Sequence, residues 1–102
     1  MLDRLDATVR ARLGGDPATS YVARLGEGGA PLAARKLGEE AVETVVAALA
    51  GDDRALVGEA ADLVFHLLVL LAIRGVPLAD VLAELERREG RSGLDEKAAR
   101  GG

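Results

Sequence analysis

Two apolar segments carry most of what this sequence says, and the feature that constrains them is where their acids fall. The first segment reads Gly38-Glu39-Glu40-Ala41-Val42-Glu43 and the second, past Gly51-Asp52-Asp53, reads Glu59-Ala60-Ala61-Asp62. On an α-helix, residues three and four apart share a face, so Glu39 and Glu40 flank the ridge carrying Glu43, and Glu59 lies one turn before Asp62. An antiparallel hairpin of the two segments lets the clusters face each other among Ala, Val and Leu. Like charges at helical spacing cost about 0.2–0.5 kcal/mol per pair, and desolvation adds to that. A cation between them is the simplest resolution, and Mg²⁺ or Mn²⁺ is the expectation because hard cations take carboxylate oxygens, water and substrate phosphates. A single E-E-x-x-E run is more often a solvated helix face. Two such clusters on adjacent apolar helices argue against that here.

The remaining elements are short. Leu2, Leu5, Val9 and Leu13 recur at helical spacing and predict a helix over 2–13, ended by Gly14-Gly15. Asp16-Pro17 reads as the start of a short second helix holding Ser20, Tyr21 and Leu25, followed by a glycine-rich loop from Gly26 to Ala30. Pro31 then opens a long helix to about Ala50, and the next runs from about Arg54 to Arg74. Pro77 starts a last helix with an apolar face of Leu78, Val81, Leu82 and Leu85, up to about Arg88. The fold class is therefore all-α: a helical hairpin with short flanking helices. All 102 residues form one domain, with a polar, glycine-containing tail from about residue 90 whose composition reads as a disordered terminus.

From Leu63 to Ile73 the chain is apolar on every side and broken only by His66. A helix with no polar face must be covered all round. A chain this small lacks the elements to do so, which predicts a homodimer forming a four-helix-type bundle. The run is far below the roughly 20 residues of a spanning helix, so no membrane role is expected. A net charge of −4, one Tyr, one Phe and no Trp offer neither a basic footprint nor a stacking platform for nucleic acid. The absence of cysteine, together with a start lacking a basic n-region and apolar run, fits a cytoplasmic protein.

Positive side chains are needed for any phosphates. Lys36, three and four residues before Glu39 and Glu40, is the best placed, with Arg35 next. An ordinary Lys36–Glu40 ion pair is the alternative for Lys36. His66, at i+4 from Asp62 and i+7 from Glu59, lies on the carboxylate stripe one turn deeper. It reads as a histidine satisfied within the core, or as one that ligates a metal or supports a ligand carboxylate.

The carboxylate pattern resembles the signature of the MazG-like all-α nucleoside triphosphate pyrophosphohydrolases. Within that superfamily the chain is more similar to the phosphoribosyl-ATP pyrophosphohydrolases of histidine biosynthesis. The likeness is carried by Ser20-Tyr21-Val22-Ala23-Arg24-Leu25, by Arg35 through Glu43, by Glu59 through Leu71, and by Ser92 through Arg100. It implies Mg²⁺-dependent hydrolysis of the α–β phosphoanhydride of phosphoribosyl-ATP, with Glu40, Glu43, Glu59 and Asp62 matching the metal ligands. Glu39 then matches an extra acid that orients and deprotonates the water or holds a second ion. The resemblance also implies substrate contacts from Ser20, Tyr21, Lys97 and Arg100, although a lone Tyr on a short helix is more often simply a packing residue. One departure is Ala30-Pro31-Leu32, where relatives tend to carry a basic residue, so a phosphate contact there is missing or supplied by Arg35. Two other functions share parts of this pattern: a housecleaning nucleoside triphosphate pyrophosphatase, and a non-enzymatic helical dimerisation module. A ferritin-like di-iron bundle is disfavoured, because Asp62 and Val46 stand where a Glu-x-x-His pair would place histidine.

Overall fold

The computed structural model describes residues 1–89 as four helices, with no strand among the described residues: α1 (Leu2–Arg12), α2 (Tyr21–Ala50), α3 (Asp53–Ile73) and α4 (Leu78–Arg88). The tail expected beyond residue 90 lies outside the described residues. The fold class is all-α, and its centre is the pairing of α2 with α3. That pairing is antiparallel, because only Gly51 and Asp52 separate the two helices. Gly51 ends α2 in the left-handed region at φ 77°, and the Asp52 side chain accepts the Ala55 N–H to start α3.

Two boundaries differ from expectation. The helix predicted to open at Asp16-Pro17 begins instead at Tyr21, with Ser20 in extended geometry and its Oγ accepting the Ala23 N–H at 3.2 Å. Asp16 uses its carboxylate two residues on, accepting from Ala18 N–H at 2.9 Å, which closes a local turn rather than capping a helix. The glycine-rich loop shrinks to one residue, Gly29, at φ 76° and ψ −172°. Residues 21–28 and 30–50 are thus two helical segments that meet at a sharp break, and Pro31 sits in the first turn of the second, where its missing N–H leaves no bond broken. The bend is tight enough that a Cβ on Gly28 would run into the Leu32 side chain. A straight helix would hold Tyr21 and Glu40 about 28 Å apart. The break folds them into electrostatic reach of each other.

The core lies at the end of the hairpin far from Gly51. Val9, Val22, Leu25, Val69 and Ala72 are its buried members, with Leu5, Leu13, Leu32, Phe65 and Ile73 packed against them. Arg10 fastens α1 to the α3–α4 turn: its Nε donates to both Asp6 carboxylate oxygens at 3.1 Å and its Nη2 to the Val76 carbonyl at 2.7 Å. On α4, Arg87 and Arg88 donate to the Glu84 carboxylate and hold it down at about 2.

Toward the turn the hairpin is not covered: Val42, Val45, Val46 and Leu49 of α2 and Val57 of α3 are exposed, and Val64 and Leu67 continue the exposed apolar surface along α3. Within α3, His66, Leu68, Val69 and Ala72 are buried, so the helix expected to be enclosed is enclosed on one side only. Taken whole, α3 is also long and apolar enough to cross a membrane by length and composition. The uninterrupted apolar run, Leu63 to Ile73, stays shorter than a span; the helix reaches that length only by taking in Glu59 and Asp62.

Because Gly29, at φ 76° and ψ −172°, occupies an essentially glycine-only region that costs another residue about 1–3 kcal/mol, Gly29→Ala should lower the unfolding free energy by about that amount in urea denaturation, while Gly38→Ala, at a helical position with open space beside it, should raise it by roughly 0.5–1 kcal/mol.

Candidate metal and active site

The second segment of α2 presents Glu40 and Glu43, and α3 presents Glu59 opposite them. One carboxylate oxygen from each lies within 4.8 Å of the other two. Burial of the ionised form is the largest influence on Glu40, followed by its hydrogen bond to Glu43 and the charges around it, Asp62 among them; together they raise it to about 7. Glu59 is raised for the same leading reason, desolvation, then by Glu43, with Asp62 adding its charge. Glu40 Oε2 and Glu59 Oε2 are buried without any hydrogen-bond partner. Two orphaned buried oxygens in an all-oxygen donor set fit a hard divalent cation, which would neutralise the charge and occupy the lone pairs at once.

The other predicted residues separate into groups. Asp62 lies within electrostatic reach of Glu40 and Glu59 but outside the three-oxygen set. Glu39 lies outside the three-oxygen set and pairs with Arg35 at 3.7 Å and Lys36 at 3.4 Å. The ion pair of Lys36 is therefore with Glu39 at i+3, not with Glu40 at i+4. Lys97 and Arg100 lie outside the described residues.

His66 is 5% exposed. Its Nδ1 lies 2.7 Å from the main-chain carbonyl of Asp62, and its Nε2 lies 2.8 Å from the Tyr21 hydroxyl. Both ring nitrogens are thus engaged by groups that are neither metal nor carboxylate, which is the core-satisfied arrangement. Tyr21, His66 and Phe65 form an aromatic trio, with His66 edge-on to Tyr21 at 5.6 Å and to Phe65 at 5.2 Å, and Tyr21 and Phe65 stacked at 6.2 Å. The Tyr21 phenol is raised above its ordinary value, mainly by burial; Lys36 pulls it down, while Glu40, Glu39 and Asp62 push it up. The phenol therefore lies within electrostatic reach of Lys36 and of these three carboxylates. Arg12 went unnoticed in the sequence. It lines a cleft of about 470 Å³ with Thr19, Ser20, Tyr21, Val22 and Phe65. Only its place at the end of α1, facing the start of α2, could have signalled it.

A helical hairpin holding a partly buried, cation-ready carboxylate cluster, with paired cations one turn before it, suits hydrolysis of phosphoanhydrides. Residues 2–89 match the family described as phosphoribosyl-ATP pyrophosphohydrolase. Among similar proteins, the phosphoribosyl-ATP pyrophosphatase of Rhizorhabdus wittichii is 69% identical over 99 residues, covering 97% of this chain and 93% of its own. Those of Erythrobacter litoralis and Novosphingobium aromaticivorans are 67% and 61% identical, each over 98% of this chain and over 96% and 94% of their own. The chain belongs to the phosphoribosyl-ATP pyrophosphohydrolase family.

The raised Glu40 carries a sign for stability. Its folded value, about 7, lies above the ordinary 4.5, so the folded state holds the proton longer and metal-free stability falls as pH rises from about 4.5 to 7. Glu84, depressed to about 2, acts oppositely: its contribution is present above 4.5 and lost as pH falls toward 2. In EDTA the melting temperature should peak near pH 5 and decline to pH 8, and Mg²⁺ should raise it more at pH 8 than at pH 5. Glu40→Gln should flatten the decline.

Proposed function

We propose that this protein hydrolyses phosphoribosyl-ATP at the α–β phosphoanhydride, giving phosphoribosyl-AMP and pyrophosphate in histidine biosynthesis, as a Mg²⁺-dependent cytoplasmic homodimer. The observation that carries the reading is the set of three carboxylate oxygens within 4.8 Å, two of the residues bearing orphaned buried oxygens, in a chain of this family. Glu40, Glu43 and Glu59, joined by Asp62, hold the Mg²⁺, for which Mn²⁺ can substitute. Bound there, the cation supplies Lewis-acid neutralisation of phosphate oxygens and lowers the pKa of a coordinated water.

The chain's own residues do the rest. Arg35 and Lys36 point at Glu39 without substrate. A triphosphate offers them stronger acceptors, so they turn to its oxygens and leave Glu39 free. Glu39 then orients the attacking water and takes its proton as the oxygen adds to the α-phosphorus and pyrophosphate leaves. Ser20 and Tyr21 at the start of α2, with Lys97 and Arg100 of the tail, contact the remainder of the substrate. The domain is taken as 1–102, with the tail beginning at about 90.

The second subunit covers the exposed valines and leucines of the hairpin's turn end. That surface is read as a subunit interface rather than a lipid face because Glu59 and Asp62 interrupt the same helix, and a bare acid in the bilayer centre costs about 2.5–3.5 kcal/mol. The acidic balance of the chain argues against nucleic-acid partners.

Two measurements test this. Purified protein should release pyrophosphate from phosphoribosyl-ATP only with Mg²⁺; Glu43→Gln should abolish turnover, and Glu39→Gln should cut kcat by about 10²–10⁴-fold with the fold intact by circular dichroism. Equal release from common nucleoside triphosphates would replace this reading with a housecleaning activity. In sedimentation, the protein should run as a dimer and Leu49→Glu, at a position 84% exposed in the single chain, should shift it to monomer.

A further inference from the structure

Tyr21 and His66 form one hydrogen-bonded unit whose polarity can be read from its ends. The Asp62 main-chain carbonyl can only accept, so the His66 Nδ1 at 2.7 Å from it carries a hydrogen. A neutral ring with its hydrogen on Nδ1 has a bare Nε2, which is an acceptor. The Tyr21 hydroxyl, 2.8 Å away, therefore donates its only hydrogen to His66. What the phenol oxygen has left is lone pairs. It cannot donate to a phosphate oxygen. Tyr21 is nonetheless 44% exposed and within electrostatic reach of Lys36, Glu40 and Asp62.

The geometry points to Tyr21 as an acceptor for a sugar hydroxyl of the nucleotide substrate, with His66 as the positioning residue that fixes this polarity by holding the phenol's hydrogen. The inference rests on the proposed nucleotide hydrolysis. A sugar hydroxyl is favoured over a base amine because Tyr21 stands within the field of the groups assigned to the phosphates, and along a nucleotide the sugar hydroxyls are the first donors beyond the α-phosphate. His66 touches no substrate; it acts through Tyr21, while Phe65 packs edge-on against its ring.

The test begins without catalysis, since the chain has one His and one Tyr. Nitrogen-15 spectra of the untagged full-length protein at pH 8 should show His66 protonated at Nδ1 and bare at Nε2; the opposite tautomer overturns the inference. Binding of adenosine 5′-phosphate and of Mg²⁺-pyrophosphate is then compared across variants. Tyr21→Phe should weaken the nucleotide about three- to tenfold, the range of one neutral hydrogen bond, and leave pyrophosphate within about twofold. His66→Leu should copy Tyr21→Phe, the double variant should be no weaker than Tyr21→Phe alone, and His66→Gln, whose amide oxygen can accept from the phenol, should restore most of the affinity. Removing the 2′- or 3′-hydroxyl of the nucleotide should weaken wild type but not Tyr21→Phe. An equal loss of pyrophosphate, multiplying losses in the double variant, a loss seen only when the base amine is replaced, or no nucleotide binding by wild type each overturns it. If the tautomer and the binding pattern hold while phosphoribosyl-ATP is not hydrolysed, the proposed reaction fails and the Tyr21–His66 assignment stands.

Discussion

Three carboxylates forced within 4.8 Å of one another are the constraint around which this fold is arranged. Left in water they would separate. Here the two-residue turn at Gly51-Asp52 and the packing of α2 on α3 bring them together, and one oxygen each of Glu40 and Glu59 is cut off from the solvent that would screen it. A proton held by Glu40 relieves the repulsion in the chain alone, and on the proposed function a divalent cation would relieve it in its place. Folding stability and metal affinity would then be linked through the same oxygens. A variant that relieves the repulsion would gain stability by losing the proposed site, which is the trade expected where function is built from destabilising contacts.

Much of this was legible in the residues. Caps and apolar spacing placed the long helices to within a residue or two, and the two acid clusters could be seen to face each other once a hairpin was assumed. What failed to show were choices between equivalent local options. Asp16 and Ser20 are both good caps, and only the competing turn at Asp16 decides for Ser20. Lys36 can reach Glu39 or Glu40 equally well along a helix; the inward burial of Glu40 decides for Glu39. His66 shares a stripe with the carboxylates, yet the reversal at Gly29 delivers Tyr21 to its outer nitrogen, and no periodicity encodes that contact.

The distribution of apolar surface follows from the same design. One end of the hairpin is closed by α1 and by residues 21–28 and holds the core. The other end, next to the carboxylates, keeps its valines and leucines outside. On the proposed dimer these become the second half of a shared core, so each metal site gains its dry surroundings from assembly rather than from the single chain.

The reversal at Gly29 has a metric consequence. Because residues 21–28 and 30–50 are separate segments, α2 does not set how far Tyr21 stands from Glu40. Both are referred to α3, Tyr21 through His66 and Glu40 through Glu59. On the proposed function, seven residues of helix, about 10.5 Å of rise, are the gauge against which the ligand's length would be measured. Changes around the bend can alter the angle at which Tyr21 approaches while the spacing stays fixed. One residue inserted into α3 between Glu59 and His66 would instead turn the histidine by about 100° and lose the alignment altogether, so the ruler of this site is the straight helix and its adjustable joint is the glycine.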